Sequence, residues 1–327
     1  MTSEIKKVNQ KSVEAYREFG GLIKHAARYN LWLPEASALK QGKRRFLKYF
    51  TLPGKWAWDI FFFEQSKIIE KKGRGFPDVR FCDNSSESYA TAKRLLGSTV
   101  GIKGNFEDIV INTNPVFWDG FPYDVYNLDF CGTCFPDNQP PFSNTFKAIS
   151  LIIQQHVSIG YFPFLLFLTM KALDNETNAE AKAQLKQNIE ENRRNPALEA
   201  MINEVIPDTE RFISERFADF MSISVPKVIC HLADTFHCEV EIIRRAMYHR
   251  MDQRDSSSYY IVKFIFRFKK GRGSLRITSP QYINNVTEIM QLGNIKTISL
   301  SDASDEVKKS HKALQEYIKT LDQGSLQ

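Results

Sequence analysis

Three observations on this sequence predict an α/β fold in which a mostly parallel sheet ends in a C-terminal antiparallel hairpin and carries helical additions. Through the first half of the chain, short apolar segments with polar tips alternate with helix-like stretches. That alternation builds a parallel sheet, because parallel neighbours need a crossover between them. Further on, Glu239 to Arg250 and Tyr259 to Lys269 run as two long alternating segments around MDQRDSSS, with Tyr260, Val262, Phe264, Phe266 and Phe268 on one side. This is the pattern of a hairpin. Finally, 327 residues of which 43% are hydrophobic and 25% charged can bury a large core, which argues against disorder, a collagen-like fibre or a coiled-coil rod.

Residues 1–42 read as a helical N-terminal cap, since Val13, Tyr16, Phe19, Leu22, Ile23, Ala26 and Ala27 recur at three- and four-residue steps. A basic knot follows, Lys40, Lys43, Arg44, Arg45 and Lys48 between Phe46, Tyr49 and Phe50, and leads into the strand-to-turn segment Thr51 to Gly54. Trp56 to Lys71 is able to form a helix. Next come a strand from Val79 to Cys82 ending at Asp83, a helix from Ser88 to Leu96, and a strand from Thr99 to Lys103 that runs into Gly104-Asn105-Phe106-Glu107-Asp108. The glycine suits a turn and the polar residues suit a loop or cap. After an aromatic-rich loop over 112–122, the spacing predicts a strand from Tyr123 to Phe130, a helix from Asn144 to His156 and an apolar strand from Tyr161 to Met170.

From Asp174 to Arg216 the composition turns to Glu, Lys, Asn, Gln and Ala, a solvated helical insertion. The tail over 281–322 reads as helix with a sparse stripe of Val307, Leu314, Tyr317 and Ile318. The expected organisation is therefore a cap over 1–42, an α/β domain over 43–272 with an insertion at about 175–225, and a helical tail over 273–327.

Several classes are excluded. Gly and Pro number only 16 and 13, and no GxGxxG or GxxxxGK[ST] string occurs, so P-loop NTPases and ordinary dinucleotide-binding dehydrogenases do not fit. The opening MTSEIKKVNQKSVEAY has charge where a signal peptide needs an apolar stretch, so a cytoplasmic protein is expected. The longest apolar run, Tyr161 to Met170, is about half of the roughly 20 residues a membrane helix needs. A net charge of +6 is compatible with an anionic partner without demanding one.

Chemistry is expected where strands end, because open α/β sheets bind ligands outside their carboxyl ends. Asp83 and Asp129 both fall there, and a carboxylate offers two acceptor oxygens. Asp83 has a second reading as a cap of the following helix. Together with Asn127-Leu128-Asp129-Phe130 and the run NLDFCGT, they give a resemblance to class I S-adenosylmethionine-dependent methyltransferases over about residues 46–270. The run itself is similar to the tRNA guanine-N2 methyltransferases. The resemblance implies a Rossmann-like methyltransferase sheet and S-adenosylmethionine (SAM) as cofactor, with Asp83 on the ribose, Asn105, Phe106 and Asp108 beside the adenine, and Pro53 and Gly54 at the methionine end. It also implies that Asn127 or Asp129 accepts the protons of the target amine while Phe130 packs on the base, so the activity is N-methylation of a base in RNA or DNA.

Two departures from the family stand out. Both prolines of its fourth motif are missing, and its first motif is reduced to Leu52-Pro53-Gly54, with Asp59 five residues later. A scaffold subunit of a nucleic-acid-associated assembly that has lost catalysis is therefore the second reading.

Lys43, Arg44, Arg45, Arg267, Lys269 and Lys270 are the candidate nucleic-acid contacts, in a basic hairpin set that also includes Arg244, Arg245, Arg250, Arg254, Lys263 and Arg272. Aromatic residues between basic ones suit a phosphate backbone, while Lys and Arg on a hairpin edge also serve simply to protect it. The terminal helices could meet a protein partner, and no membrane is expected. Cys131 and Cys134 with Cys230-His231 and His237-Cys238 form a rival zinc set, but the spacing matches no common finger. Reduced thiols without a metal are the expectation. A thioredoxin-like role for Cys131 and Cys134 fits less well, because Phe-Pro-Asp-Asn-Gln-Pro-Pro follows them where a helix should open.

Overall fold

A computed structural model describes residues 21–130, 132–133, 143–251, 258–271 and 280–324. Val13, Tyr16, Phe19, Cys131, Cys134, Arg254, Arg272 and the centre of the MDQRDSSS turn lie outside the described residues.

The sheet has eight strands: β1 (Tyr49–Thr51), β2 (Val79–Asp83), β3 (Val100–Lys103), β4 (Val125–Asp129), β5 (Phe164–Ala172), β6 (Cys238–Met251), β7 (Ser258–Lys270) and β8 (Ile295–Thr297). Their order is β3-β2-β1-β4-β5-β7-β6-β8. β1 to β5 are parallel, β7 is antiparallel to both β5 and β6, and β8 is parallel to β6. One strand, β7, is thus reversed. The chain fills the sheet outward from β1 to β3 and then returns to start β4 on the other side of β1, and that reversal opens a crevice at the carboxyl ends.

Side chains alternate across the sheet and feed two cores. Phe50, Tyr126, Leu128, Leu166 and Leu168 face one layer, with the helices Phe106–Ile111, Asn144–Ile159, Phe217–Thr235 and Pro280–Met290. Tyr49, Phe81, Val125, Leu165 and Phe167 face the other, with residues 21–43 and the helices Trp58–Gln65, Ser86–Leu96 and Asp305–Gly324. Helices on both faces explain why β5 opens as a continuous apolar run and why β4 is buried along nearly its whole length. The polar insertion forms three helices, Ala179–Arg193, Pro196–Val205 and Thr209–Glu215. Leu185, Ile189, Leu198 and Ile202 bury against the first layer.

Some elements depart from expectation for local reasons. The helix expected over Trp56 to Lys71 is limited to Trp58–Gln65, bracketed by left-handed residues Ala57 and Lys67. A short helix, Pro115–Gly120, occupies the aromatic-rich loop, because Asn114 caps it and Pro115 opens it. The tail is broken by β8, and Arg245 explains where its first helix stops. This buried guanidinium donates to the carbonyls of Glu288 and Gln291, both at 2.8 Å, and to that of Ile289, capping the Pro280–Met290 helix. In β6 the register shifts between Ile242 and Arg244. As a result Val240 and Ile242 face the first core while Ala246 and Tyr248 face the second.

His156 gives the fold a pH signature. It is fully buried, its Nδ1 lies 2.9 Å from the Tyr161 carbonyl and its Nε2 lies 2.8 Å from the Tyr126 hydroxyl. Burial chiefly pulls its pKa from 6.5 to about 4, and burial likewise pulls His25 to about 3. Below pH 6.5 the unfolded chain takes up protons that these buried rings refuse, so stability falls as pH drops from 6.5 toward 4. The limiting slope is roughly 1.4 kcal/mol per pH unit for each ring. Urea midpoints measured across that window should decline, and a flat profile would mean the rings are not buried in their neutral form.

Candidate functional site

A cleft of about 330 Å³ opens at the carboxyl ends of β1 to β4. Leu52, Pro53 and Gly54 come from the end of β1, Cys82, Asp83 and Asn84 from β2, Gly104 to Glu107 from after β3, and Asp129, Phe130, Gly132 and Thr133 from the end of β4, with Lys24 above them. Strand-end loops make this wall because their residues leave the ladder with free polar groups.

At the tips of β2 and β3 a polar chain is already assembled. Asp83 Oδ1 accepts the Ser85 amide at 2.8 Å, so Asp83 does shape the entry to the Ser86–Leu96 helix, while the cap proper is Ser85, whose side chain accepts the Ser88 amide. Burial raises the Asp83 pKa and the Ser85 amide opposes that rise. Asn84 donates to Asn105 Oδ1 at 2.9 Å, and Asn105 donates to Asp108 Oδ2 at 3.1 Å. Asp108 thus stands behind Asn105 and does not line the cleft. Gly104, at φ 151°, lets its amide reach the Asp83 carbonyl at 3.1 Å. Phe106 and Phe130 meet edge to face with centroids 6.1 Å apart.

At the tip of β4, Asp129 is enclosed by cations that the sequence does not advertise. Lys24 Nζ lies 2.6 Å from Asp129 Oδ2, and the carboxylate side chain is 10% exposed. Lys24, Arg28 and Trp32 repeat at four-residue steps and share one helix face, with a π-helical turn at Arg28–Trp32. Trp32 stacks on Phe167, and Lys263 Nζ stands 4.8 Å from the Trp32 ring while donating to Thr169 Oγ1 at 2.9 Å. Burial pushes the Asp129 carboxyl upward, but Lys24, Lys263 and Arg28 outweigh it and hold the pKa at about 2. Burial pulls Lys263 down to about 7, opposed by Asp129. Asp129 is therefore an ionised acceptor at any ordinary pH.

Asn127 is placed differently from expectation. It is buried two residues deeper on the same face of β4, and its Nδ2 donates to Thr51 Oγ1 at 3.0 Å and to Asp59 Oδ2 at 2.9 Å. Asp59 Oδ2 also accepts the Tyr49 hydroxyl at 2.6 Å. Asn127 and Asp59 therefore tie β1 to β4 beneath the cleft and do not line it.

The basic candidates lie at the opposite, amino end of the strands. Lys43, Arg45 and Tyr161 converge on buried Asp124 at the start of β4, with Arg45 at 2.8 Å. Arg44 is exposed. Arg267 pairs with Glu35 at 2.7 Å and Glu241 at 3.2 Å, and Lys269 pairs with Glu241 at 2.8 Å. Lys270 ends β7 beside them. Cys230 and Cys238 are buried free thiols, and among the described residues no group of three His, Cys, Asp or Glu side chains could hold a metal ion. Likewise, no helix among the described residues is long and apolar enough to cross a membrane.

The sheet and its cleft define a layered α/β protein whose polar site lies at the point where strand order reverses. The PP_RS20740-like family model matches residues 23–322, and the chain belongs to that family. No curated protein matches the chain.

Proposed function

We propose that this protein is a SAM-dependent methyltransferase of the Rossmann-like class that methylates a nitrogen of a base in RNA or DNA. One coincidence carries the reading: the order β3-β2-β1-β4-β5-β7-β6 with β7 alone reversed, and Asp83 and Asp129 on one cleft at its carboxyl ends.

The residues present fit the cofactor. Asp83 has one carboxylate oxygen engaged by Ser85, which leaves the other for a ribose diol. Phe106 offers an apolar ring beside Asn105 for the adenine. A Cβ built on Gly54 or Gly132 would meet no atom within 4 Å, so the backbone at both positions is open to a ligand's polar end. Bound there, SAM supplies a methyl group on a positively charged sulfur. The protein's own work is alignment. Asp129 accepts an N–H of the incoming amine and turns its lone pair toward the methyl carbon, Lys24 gives up its ion pair to admit that amine, and Phe130 restricts the plane of the base.

Calorimetry with SAM, followed by transfer of labelled methyl to total RNA and genomic DNA, tests the reading. Absence of SAM binding at millimolar cofactor would overturn it. The scaffold reading is favoured by two observations, the Lys24 ammonium seated on Asp129 and the lone glycine of the β1 loop. SAM binding without methyl transfer to either nucleic acid would select it.

Asp83→Ala is expected to fold and to weaken SAM binding by about ten- to a hundredfold, since a charge-assisted hydrogen bond contributes roughly 1.5–3 kcal/mol. Unchanged affinity in the calorimeter would reduce Asp83 to its contact with the Ser85 amide.

A further inference from the structure

A second cleft, of about 290 Å³, lies between the Ala179–Arg193 and Phe217–Thr235 helices. Its walls are apolar where Phe146, Leu185 and Val228 line it, and Lys227 also lines it. Lys227 is 1% exposed, and its one hydrogen bond among the described residues runs from Nζ to the Asn188 carbonyl at 3.2 Å. An ammonium has three N–H groups, and no carboxylate lies within ion-pair distance of this one among the described residues. The charged and titratable neighbours among the described residues are Glu191, which is exposed, the buried thiol Cys230, and His231, one turn further along the Lys227 helix. Burial pulls the Lys227 pKa to about 7, partly opposed by Glu191. An amine this deeply buried with one neutral partner is costly to charge. An anion delivered into the cleft would supply the missing acceptor, and the apolar walls would cover an apolar body attached to it.

We propose that this cleft binds a small organic monocarboxylate with an apolar or aromatic body, its carboxylate seated on Lys227 Nζ and its body against Phe146, Leu185 and Val228. The site is separate from the strand-end cleft and does not depend on the methyltransferase reading. Benzoate is a suitable probe, with benzamide as its uncharged analogue and inorganic phosphate as an anion lacking the apolar body. With wild-type protein carrying 13C-labelled lysine, benzoate should move the Lys227 resonances with a dissociation constant of about a millimolar. Benzamide and phosphate should each bind at least about tenfold more weakly. Lys227→Met keeps the length of the side chain, removes the buried charge and should lose benzoate binding by about tenfold or more. Undisturbed Lys227 resonances at about ten times that benzoate concentration would overturn the proposal, as would equal binding of benzamide or undiminished binding by Lys227→Met. Phosphate binding as well as benzoate would overturn the assignment to an organic acid.

Discussion

Asp129→Ala is expected to leave SAM affinity almost unchanged while turnover falls about a hundredfold or more, the scale of losing one well-placed catalytic group. In the proposed reaction a carboxyl held at about 2 makes Asp129 a hydrogen-bond acceptor and not a base that titrates. The pH–rate profile of the wild type should therefore show no inflection from this residue above about pH 3. The companion Asp129→Asn keeps the shape and one acceptor oxygen, and should retain more activity than the alanine variant. Both substitutions leave Lys24, Lys263 and Arg28 without their shared anion. Removing one partner of a buried ion pair costs on the order of 3 kcal/mol, so activity has to be compared below the melting temperature of each variant. Wild-type turnover in both variants would remove Asp129 from the chemistry.

Much of this site was legible because its signals are local. Asp83 and Asp129 end apolar strands, and Asn105 and Phe106 follow a glycine, so a strand-turn reading is enough to set them at one end of a parallel sheet. What could not be read is pairing over long separations. Lys24 reaches Asp129 from the N-terminal helix and Lys263 approaches it from β7, and no spacing rule connects those three positions. The four-residue repeat of Lys24, Arg28 and Trp32 was the available signal, but a helix face with two cations normally faces solvent.

The same limit applies to the basic residues. In sequence, Lys43, Arg45, Arg267 and Lys269 form patches with aromatic neighbours. In the structure Asp124, Glu35 and Glu241 take up their charge, at the end of the sheet away from the cleft. A nucleic acid engaged at the cleft would therefore have to meet other cations, and among the described residues Lys24 is the cation that lines it. β8 carries no signature in the sequence because three residues, Ile295 to Thr297, are too few for alternation to register. The bulge at Ile243 coincides with the Ile242-Ile243 and Arg244-Arg245 doublets, where the alternation of β6 lapses.

The largest effect on stability is expected at Asp59, five residues after the Leu52-Pro53-Gly54 turn. Its Oδ2 accepts from the Tyr49 hydroxyl, the Thr51 hydroxyl and the Asn127 amide, and the residue is 1% exposed. Asp59→Ala would strand those donors where water does not reach. A buried donor left without a partner costs roughly 1–3 kcal/mol, and allowing for partial relaxation among three of them the loss should be on the order of 3–5 kcal/mol. Thr51 and Asn127 face each other across the β1–β4 ladder, so the damage should spread to the Leu52–Gly54 loop and weaken ligand binding in the cleft above it. Asp59→Asn keeps an acceptor oxygen in place and should recover most of the stability. Urea unfolding of the three proteins decides the matter: an alanine variant within about 1 kcal/mol of wild type would show that these donors find other partners, and that the network does not brace the strand ends.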